Sequence, residues 1–237
     1  MIQAVVFDFG QTLVDSSDGF RVAEKKLQHR IFSDLGLESW EDFLSAYRRI
    51  RKVFHEKSDF SRKDLAAAVY GRYGRPPEGG RLESWETEYW EELTASTREF
   101  PEARRVLRSL SGTHRLALIT NTQGQKVSGG HRILQFPELM RFFEIVIVAG
   151  EAGIPEKPDP APFRLCLERL GIPAPDVVYV GDDWRIDVCG ARGAGMHPVW
   201  LQHRSVKRHW PRPDGIEIPV AVIETLDALL DIGSLVS

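Results

Sequence analysis

Asp8 stands where a short apolar run, Ala4-Val5-Val6-Phe7, gives way to the turn Asp8-Phe9-Gly10-Gln11-Thr12-Leu13. A carboxylate at the end of a buried strand is poorly solvated, and strand ends of this kind line the ligand crevice of open α/β sheets. Three later segments repeat the arrangement. Leu116-Ala117-Leu118-Ile119 ends in Thr120-Asn121; Ile145-Val146-Ile147-Val148 is followed by Glu151 and Lys157-Pro158-Asp159; Val177-Val178-Tyr179-Val180 runs into Gly181-Asp182-Asp183, with Asp187 shortly after.

These residue types suit chemistry on an anionic substrate. A carboxylate such as Asp8 attacks phosphorus when the electrophile is held in line and its charge is neutralised, although an aspartate at a strand end is equally at home as a turn former or helix N-cap. Gly181 lets the chain turn tightly, and Asp182 emerges beside Asp8 if their strands are neighbours. Crowded carboxylates protonate or bind a cation, and hard oxygen donors select Mg²⁺. Asp187 also reads as an N-cap for Val188-Cys189-Gly190-Ala191. Lys157 is held in an extended turn by Pro158, Asp159 and Pro160. Asp8, Asp182, Asp183 and Asp187 face a single cation from Lys157. Without a metal, a phosphate dianion beside them is repelled by on the order of several kcal/mol, even at an effective dielectric of about 20.

The elements that must position these residues fall into two groups. From residue 17 to about 96 the spacing is helical throughout. Phe20, Ala23, Leu27, Ile31 and Leu35 predict a first helix stopped at Gly36. Ser39-Trp40-Glu41-Asp42 and Ser61-Arg62-Lys63-Asp64 read as capping boxes opening two more, and Leu82, Trp85, Tyr89, Trp90 and Leu93 predict a fourth. From Pro101 onward strands and helices alternate, which implies a parallel sheet with right-handed crossovers. Strands end near Phe7, Ile119, Val148, Val180 and Leu201. The expected architecture is α/β, a doubly wound, Rossmann-like parallel sheet of five strands, carried by residues 1–16 plus 97–237. A four-helix cap subdomain over 17–96 is inserted, hinged near Asp15-Ser16-Ser17 and Thr97–Phe100.

Composition excludes several classes of partner. A formal net charge of −3 over 237 residues gives no electrostatic case for nucleic acid or an anionic membrane. No run is long enough to span a bilayer, and the cytoplasm is the expected location. Cys166 and Cys189 sit in apolar helical patterns and read as packed thiols.

The ordered set Asp, Thr, Lys, then Gly-Asp-Asp with a further Asp resembles the four motifs of the haloacid dehalogenase (HAD) superfamily, over most of residues 1–15 and 97–205. The helical insertion resembles its C1 cap, which closes over the strand ends and excludes water. The resemblance implies a hydrolase that forms an aspartyl-phosphate on Asp8. It assigns Mg²⁺ to Asp8, the Gly10 carbonyl and Asp182, with Asp183 or Asp187 holding the metal's waters. It makes Lys157 the cation that offsets phosphate and nucleophile, and puts the Thr120 hydroxyl and Asn121 backbone N–H on a phosphoryl oxygen. The implied substrate, a small phosphorylated metabolite, is held by Phe9, Gly10, Thr120, Asn121 and Lys157, with cap side chains such as Arg21, Lys25, His29 and Arg30 setting selectivity.

Gly10 departs from that pattern, because phosphatases of the superfamily carry a second aspartate there. Glycine keeps the carbonyl but supplies no proton, and general acid–base catalysis is worth roughly 10² to 10⁴ in rate. Alkyl monoesters should suffer most, and acyl or aryl phosphates least. Asp15, Asp183 and His29 are candidate substitutes. Three other functions compete with the phosphatase. Carbon–halogen hydrolysis needs no proton at the leaving group, but in the family it proceeds without metal and without the Gly181-Asp182-Asp183 cluster. Phosphonate cleavage needs a cap lysine for a Schiff base, with Lys25, Lys26, Lys52, Lys57 and Lys63 available. The last is a binding protein that has lost turnover.

Overall fold

A computed structural model describes residues 1–57, 59–122, 131–206, 220–231 and 233. The chain divides into two compact units, one of residues 1–15, 98–122 and the described residues from 131 onward, the other of residues 16–97.

The first unit is built on a six-stranded sheet of order β5-β4-β1-β6-β7-β8. Its strands are β1 (Ala4–Phe7), β4 (Arg115–Asn121), β5 (Ile145–Ala149), β6 (Val177–Gly181), β7 (His197–Leu201) and β8 (Ala221–Ile223). Every pairing is parallel, and β1 lies between β4 and β6, with Phe7 opposite both Leu118 and Val180. Alternate residues serve opposite layers. Val5, Phe7, Leu116, Leu118, Val178 and Val180 pack against α5 (Ala103–Leu110) and the single turn α6 (Pro137–Met140). Ala4, Val6, Ala117, Ile119, Val177 and Tyr179 pack against α7 (Pro160–Leu170) and α8 (Cys189–Gly193). Burial on both faces is why these strands read as continuous apolar runs. The sixth strand, β8, escapes the sequence pattern because it has three residues at a sheet edge and leaves Val222 50% exposed. A two-residue antiparallel ribbon, β2 (Val14–Asp15) with β3 (Arg98–Glu99), follows the turn after Asp8. Both cysteines are free thiols.

The second unit is four helices, α1 (Ser17–Asp34), α2 (Trp40–Glu56), α3 (Arg62–Arg72) and α4 (Arg81–Ser96). Ser39 accepts from the Asp42 N–H and Ser61 from the Asp64 N–H, the two caps expected from the sequence. Gly19 lets α1 and α4 meet closely, since a Cβ there would lie 2.7 Å from the Leu93 carbonyl oxygen. A charged cluster lies inside the bundle. Buried Glu24 accepts from Arg51 at 2.9 Å and from the Tyr89 hydroxyl at 3.2 Å, and pairs with buried Arg62 at 3.2 Å. Three of the four prospective selectivity residues are engaged within this unit: Arg21 pairs with Asp18, Arg30 with Glu88, and His29 stacks on Trp40.

Candidate active site

The order β4-β1-β6 brings three strand ends together, and three of the predicted segments deliver their polar residues there. Asp8 is 8% exposed, and its backbone N–H donates to the Val180 carbonyl at 2.9 Å. The turn beyond it folds back through a Gly10–Val14 bridge, with Gln11 in the left-handed region at φ 59°. Thr12 donates to Asp8 Oδ2 at 3.3 Å.

Lys157 reaches Asp8 from the loop after β5. All three of its ammonium donors are taken: Asp8 Oδ1 at 2.8 Å, Asp187 Oδ1 at 2.7 Å and the Tyr179 hydroxyl at 2.8 Å. Burial opposes its charge, yet Asp187 and Asp8 hold the ammonium above the ordinary lysine value. Its backbone is fixed in turn by the Asn121 side chain, which accepts from the Lys157 N–H at 2.9 Å and donates to its carbonyl at 3.0 Å. Asp159 caps α7 by accepting from the Ala161 N–H at 2.8 Å.

Oxygens of Asp8, Asp182 and Asp187 lie within 4.8 Å of one another. Burial, followed by the charges of Asp187, Asp8 and Asp183, pushes the Asp182 carboxyl well above the usual carboxylate range. Burial also raises Asp187, with Lys157 pulling back against it and Asp8 and Asp183 adding to the rise. Three crowded carboxylates beside one ammonium form an oxygen-rich donor set that fits a hard divalent cation. Asp187 Oδ2 accepts from the Asp183 N–H at 3.0 Å, so Asp187 is anchored from both sides.

Asp183 stands apart from this trio. Its Oδ1 accepts from the Arg185 N–H at 2.8 Å and the Ile186 N–H at 3.3 Å, capping the π-helical turn Trp184–Val188. The N-cap expected of Asp187 therefore falls to Asp183. Gly181 is needed for space rather than for a turn: it is not among the residues of positive φ, and a Cβ there would lie 2.4 Å from Asp187 Cγ. Thr120 is buried at the end of β4. The Phe9 side chain is fully buried against Phe136, so only its backbone is left for a ligand. Of the candidate acids, Asp15 lies opposite Arg98 in the β2–β3 ribbon, and Asp183 caps a turn through Oδ1 while its buried Oδ2 makes no hydrogen bond.

Two residues escape the sequence reading. Tyr179 uses its hydroxyl both to accept from Lys157 and to donate to Asp187 Oδ1 at 3.1 Å. The available signal was a tyrosine in an otherwise aliphatic buried strand, whose hydroxyl must find a partner. Arg132, in a short 3₁₀ turn, is 3% exposed and lies against Gly10. Nothing in its surrounding sequence marks it.

A buried nucleophile candidate, a lysine clamped between two carboxylates and an oxygen-rich cation site, all at the strand ends of a parallel sheet, define a hydrolase of one superfamily. The chain belongs to the haloacid dehalogenase-like hydrolases, whose family pattern it matches over residues 2–195. It is 28% identical over 240 residues to the glyceraldehyde 3-phosphate phosphatase of Methanopyrus kandleri, covering 98% of this chain and 97% of that protein. A HAD hydrolase from Bacillus subtilis bound to magnesium superposes with a TM-score of 0.69 at 22% identity, over 98% of both chains. A 2-haloacid dehalogenase from Pseudomonas syringae superposes with a TM-score of 0.64 at 26% identity, over 99% of both chains. Among the described residues, no helix is long and apolar enough to cross a membrane.

Proposed function

We propose that this chain is a Mg²⁺-dependent phosphatase of the cytoplasm, acting on a small phosphorylated metabolite through an aspartyl-phosphate on Asp8. The observation that carries the reading is the shared grip of Lys157 on Asp8 and Asp187 beside the half-buried carboxylate of Asp182. Lys157 holds Asp8 in position and offers its charge to the phosphoryl group once substrate arrives. The Asp8 oxygen attacks phosphorus and the leaving oxygen departs with its electron pair. Water then attacks the phosphorus of the aspartyl-phosphate, the bond from phosphorus to the Asp8 oxygen breaks, and phosphate leaves with the Asp8 carboxylate restored. Thr120 and the Asn121 backbone N–H serve the phosphoryl oxygens, and the backbone of Phe9 and Gly10 lines the pocket. Asp8, Asp182 and the Gly10 carbonyl would hold the Mg²⁺, with Asp187 orienting its waters and Asp183 supporting the loop. Bound there, the cation supplies the positive charge that lets an anionic substrate approach. Residues 17–96 act as the cap and set substrate choice.

The phosphatase named among the relatives supports this chemistry over dehalogenation, as does the acidic trio. A Schiff-base route to phosphonates finds no support at Lys63, whose ion pair with Glu83 raises its basicity where such a lysine needs it lowered. The test is a panel of small phosphate monoesters, acyl phosphates, phosphonates and 2-haloacids, each run with Mg²⁺ and with chelator. Mg²⁺-dependent release of phosphate is expected. Release of halide that persists in chelator would overturn the reading.

A further inference from the structure

Of the three acceptors that surround the Lys157 ammonium, two are the carboxylates of Asp8 and Asp187. The third is neutral, the hydroxyl of Tyr179 at 2.8 Å, on a fully buried side chain of β6. A phenol keeps its hydrogen at neutral pH, and burial beside Asp187 and Asp8 holds that hydrogen more firmly still. The single hydrogen faces Asp187 Oδ1 at 3.1 Å and the Ile119 carbonyl at 3.3 Å, and the nearer, charged acceptor takes it. Lys157, Tyr179 and Asp187 thus close a ring. The ammonium donates to the hydroxyl and to Oδ1, and the hydroxyl donates to the same Oδ1. The aromatic ring is steadied by Phe163, with ring centres 5.2 Å apart. Val177, Val178 and Val180 are aliphatic, so the hydroxyl is what position 179 adds to its strand. Without it, one hydrogen of a buried ammonium would have no acceptor, a costly arrangement.

We infer that Tyr179 is a positioning residue of the Asp8 site, holding the Lys157 ammonium at the point from which it meets the phosphoryl group. The inference rests on the phosphatase reading above. The three contacts of the ammonium do not last equally through that reaction. When an Asp8 oxygen bonds to phosphorus, the bond from phosphorus to the leaving oxygen breaks and the electron pair goes with that oxygen. Asp8 has then given up its negative charge, and its hold on the ammonium weakens. Asp187 and Tyr179 keep theirs, because neither exchanges a bond in the step. The N–H that Asp8 releases turns to the phosphoryl oxygens while the other two stay where they were. Held by Asp187 alone, the ammonium would swing about a single contact. The hydroxyl is the second fixed point, and its hydrogen holds Asp187 Oδ1 in place at the same time. Tyr179 acts through Lys157 and not on the reacting atoms.

Tyr179→Phe removes the hydroxyl and keeps the ring. The wild type, Tyr179→Phe, Lys157→Ala and the double variant should be compared in Mg²⁺ by phosphate release from an aryl phosphate and by calorimetric titration with inorganic phosphate. The exchange of the Lys157 ammonium hydrogens with water should be followed by ¹H–¹⁵N spectroscopy, the signal being identified by its loss in Lys157→Ala. Tyr179→Phe should lower kcat/KM by on the order of 10². Phosphate affinity should weaken about tenfold at unchanged stoichiometry, and the ammonium hydrogens should exchange faster. In the Lys157→Ala background the same substitution should cost no further phosphate affinity, since the group it acts through is gone. A lower stoichiometry at wild-type affinity, additive losses, or unaltered ammonium exchange would overturn the assignment and leave the hydroxyl to the Ile119 carbonyl alone. If the wild type cleaves no ester, the phosphatase reading falls and the ammonium signal alone judges Tyr179: faster exchange in Tyr179→Phe upholds its grip on Lys157, and equal exchange rejects it. Should Tyr179→Phe fail to fold by circular dichroism, adding Lys157→Met removes the unpartnered donor and must recover the fold; continued failure rejects the assignment.

Discussion

The side-chain amide of Asn121 pairs with the backbone of Lys157 on both of its polar groups, at 2.9 Å to the N–H and 3.0 Å to the carbonyl. Asn121 ends β4, whereas Lys157 lies in the loop after β5, so the end of one strand sets the height of a lysine delivered by its neighbour. The ammonium is then placed to touch Asp8, Asp187 and Tyr179 together. Asn121→Ala should therefore act through Lys157. Two buried backbone groups lose their partner, which costs about 1–3 kcal/mol each. A displaced ammonium should lower kcat/KM by on the order of 10². Urea unfolding and steady-state kinetics on the same preparation check both. A variant that loses stability but keeps its turnover would show that Lys157 does not depend on this clamp.

Gly181→Ala tests the packing of Asp187 over β6. The new methyl would lie 2.4 Å from Asp187 Cγ and 2.5 Å from its Cβ, so the carboxylate must move away from Lys157. Overpacking of this kind costs about 1–3 kcal/mol. Mg²⁺ affinity should fall with it, read by calorimetric titration. Unaltered stability and affinity would mean that the Trp184–Val188 turn yields freely.

The two neighbouring aspartates should separate in a metal titration. Asp182→Asn removes a clustered donor and should abolish calorimetrically detected Mg²⁺ binding. Asp183→Ala removes a cap and should cost about 1 kcal/mol of stability while leaving most of the metal affinity. Equal loss of metal binding in the two variants would place Asp183 among the ligands.

Acid should loosen the helical unit through Glu24. Burial raises its carboxyl, but Arg62 and Arg51 outweigh that and hold it below the ordinary glutamate value. A depressed carboxylate contributes stability that is present above the unfolded value, about 4.3, and is lost as pH falls through the lower folded one. Glu24→Gln should remove that dependence and, by leaving the Arg62 charge buried without its partner, cost about 3–5 kcal/mol at neutral pH. Urea unfolding of the whole chain at several pH values measures both. An acid slope that survives in the variant would assign it to other carboxylates.

Much of this protein is local in origin and so was written along the chain. Burial on both faces makes Ala4–Phe7 and Val177–Val180 legible as strands, and short-range hydrogen bonds make Ser39 and Ser61 legible as caps. The carboxylates that follow those strands directly, Asp8 and Asp182, were visible for the same reason, since a carboxylate after an apolar run breaks the pattern. The meetings between distant segments were not visible, because periodicity records whether a side chain is buried and is silent on what it is buried against. Tyr179 reads as one more core residue until the order β4-β1-β6 sets its hydroxyl between Lys157 and Asp187. Gly10 reads as a missing acid until the turn beginning at Arg132 lays a guanidinium over it. Asp183 reads as one more carboxylate of the cluster, and only the folded chain shows that its Oδ1 also caps the backbone turn that follows it. Sequence alone determined which residues the strand ends would present, and the tertiary structure decided their partners, because hydrogen-bond geometry between segments exists only after the sheet has chosen its neighbours.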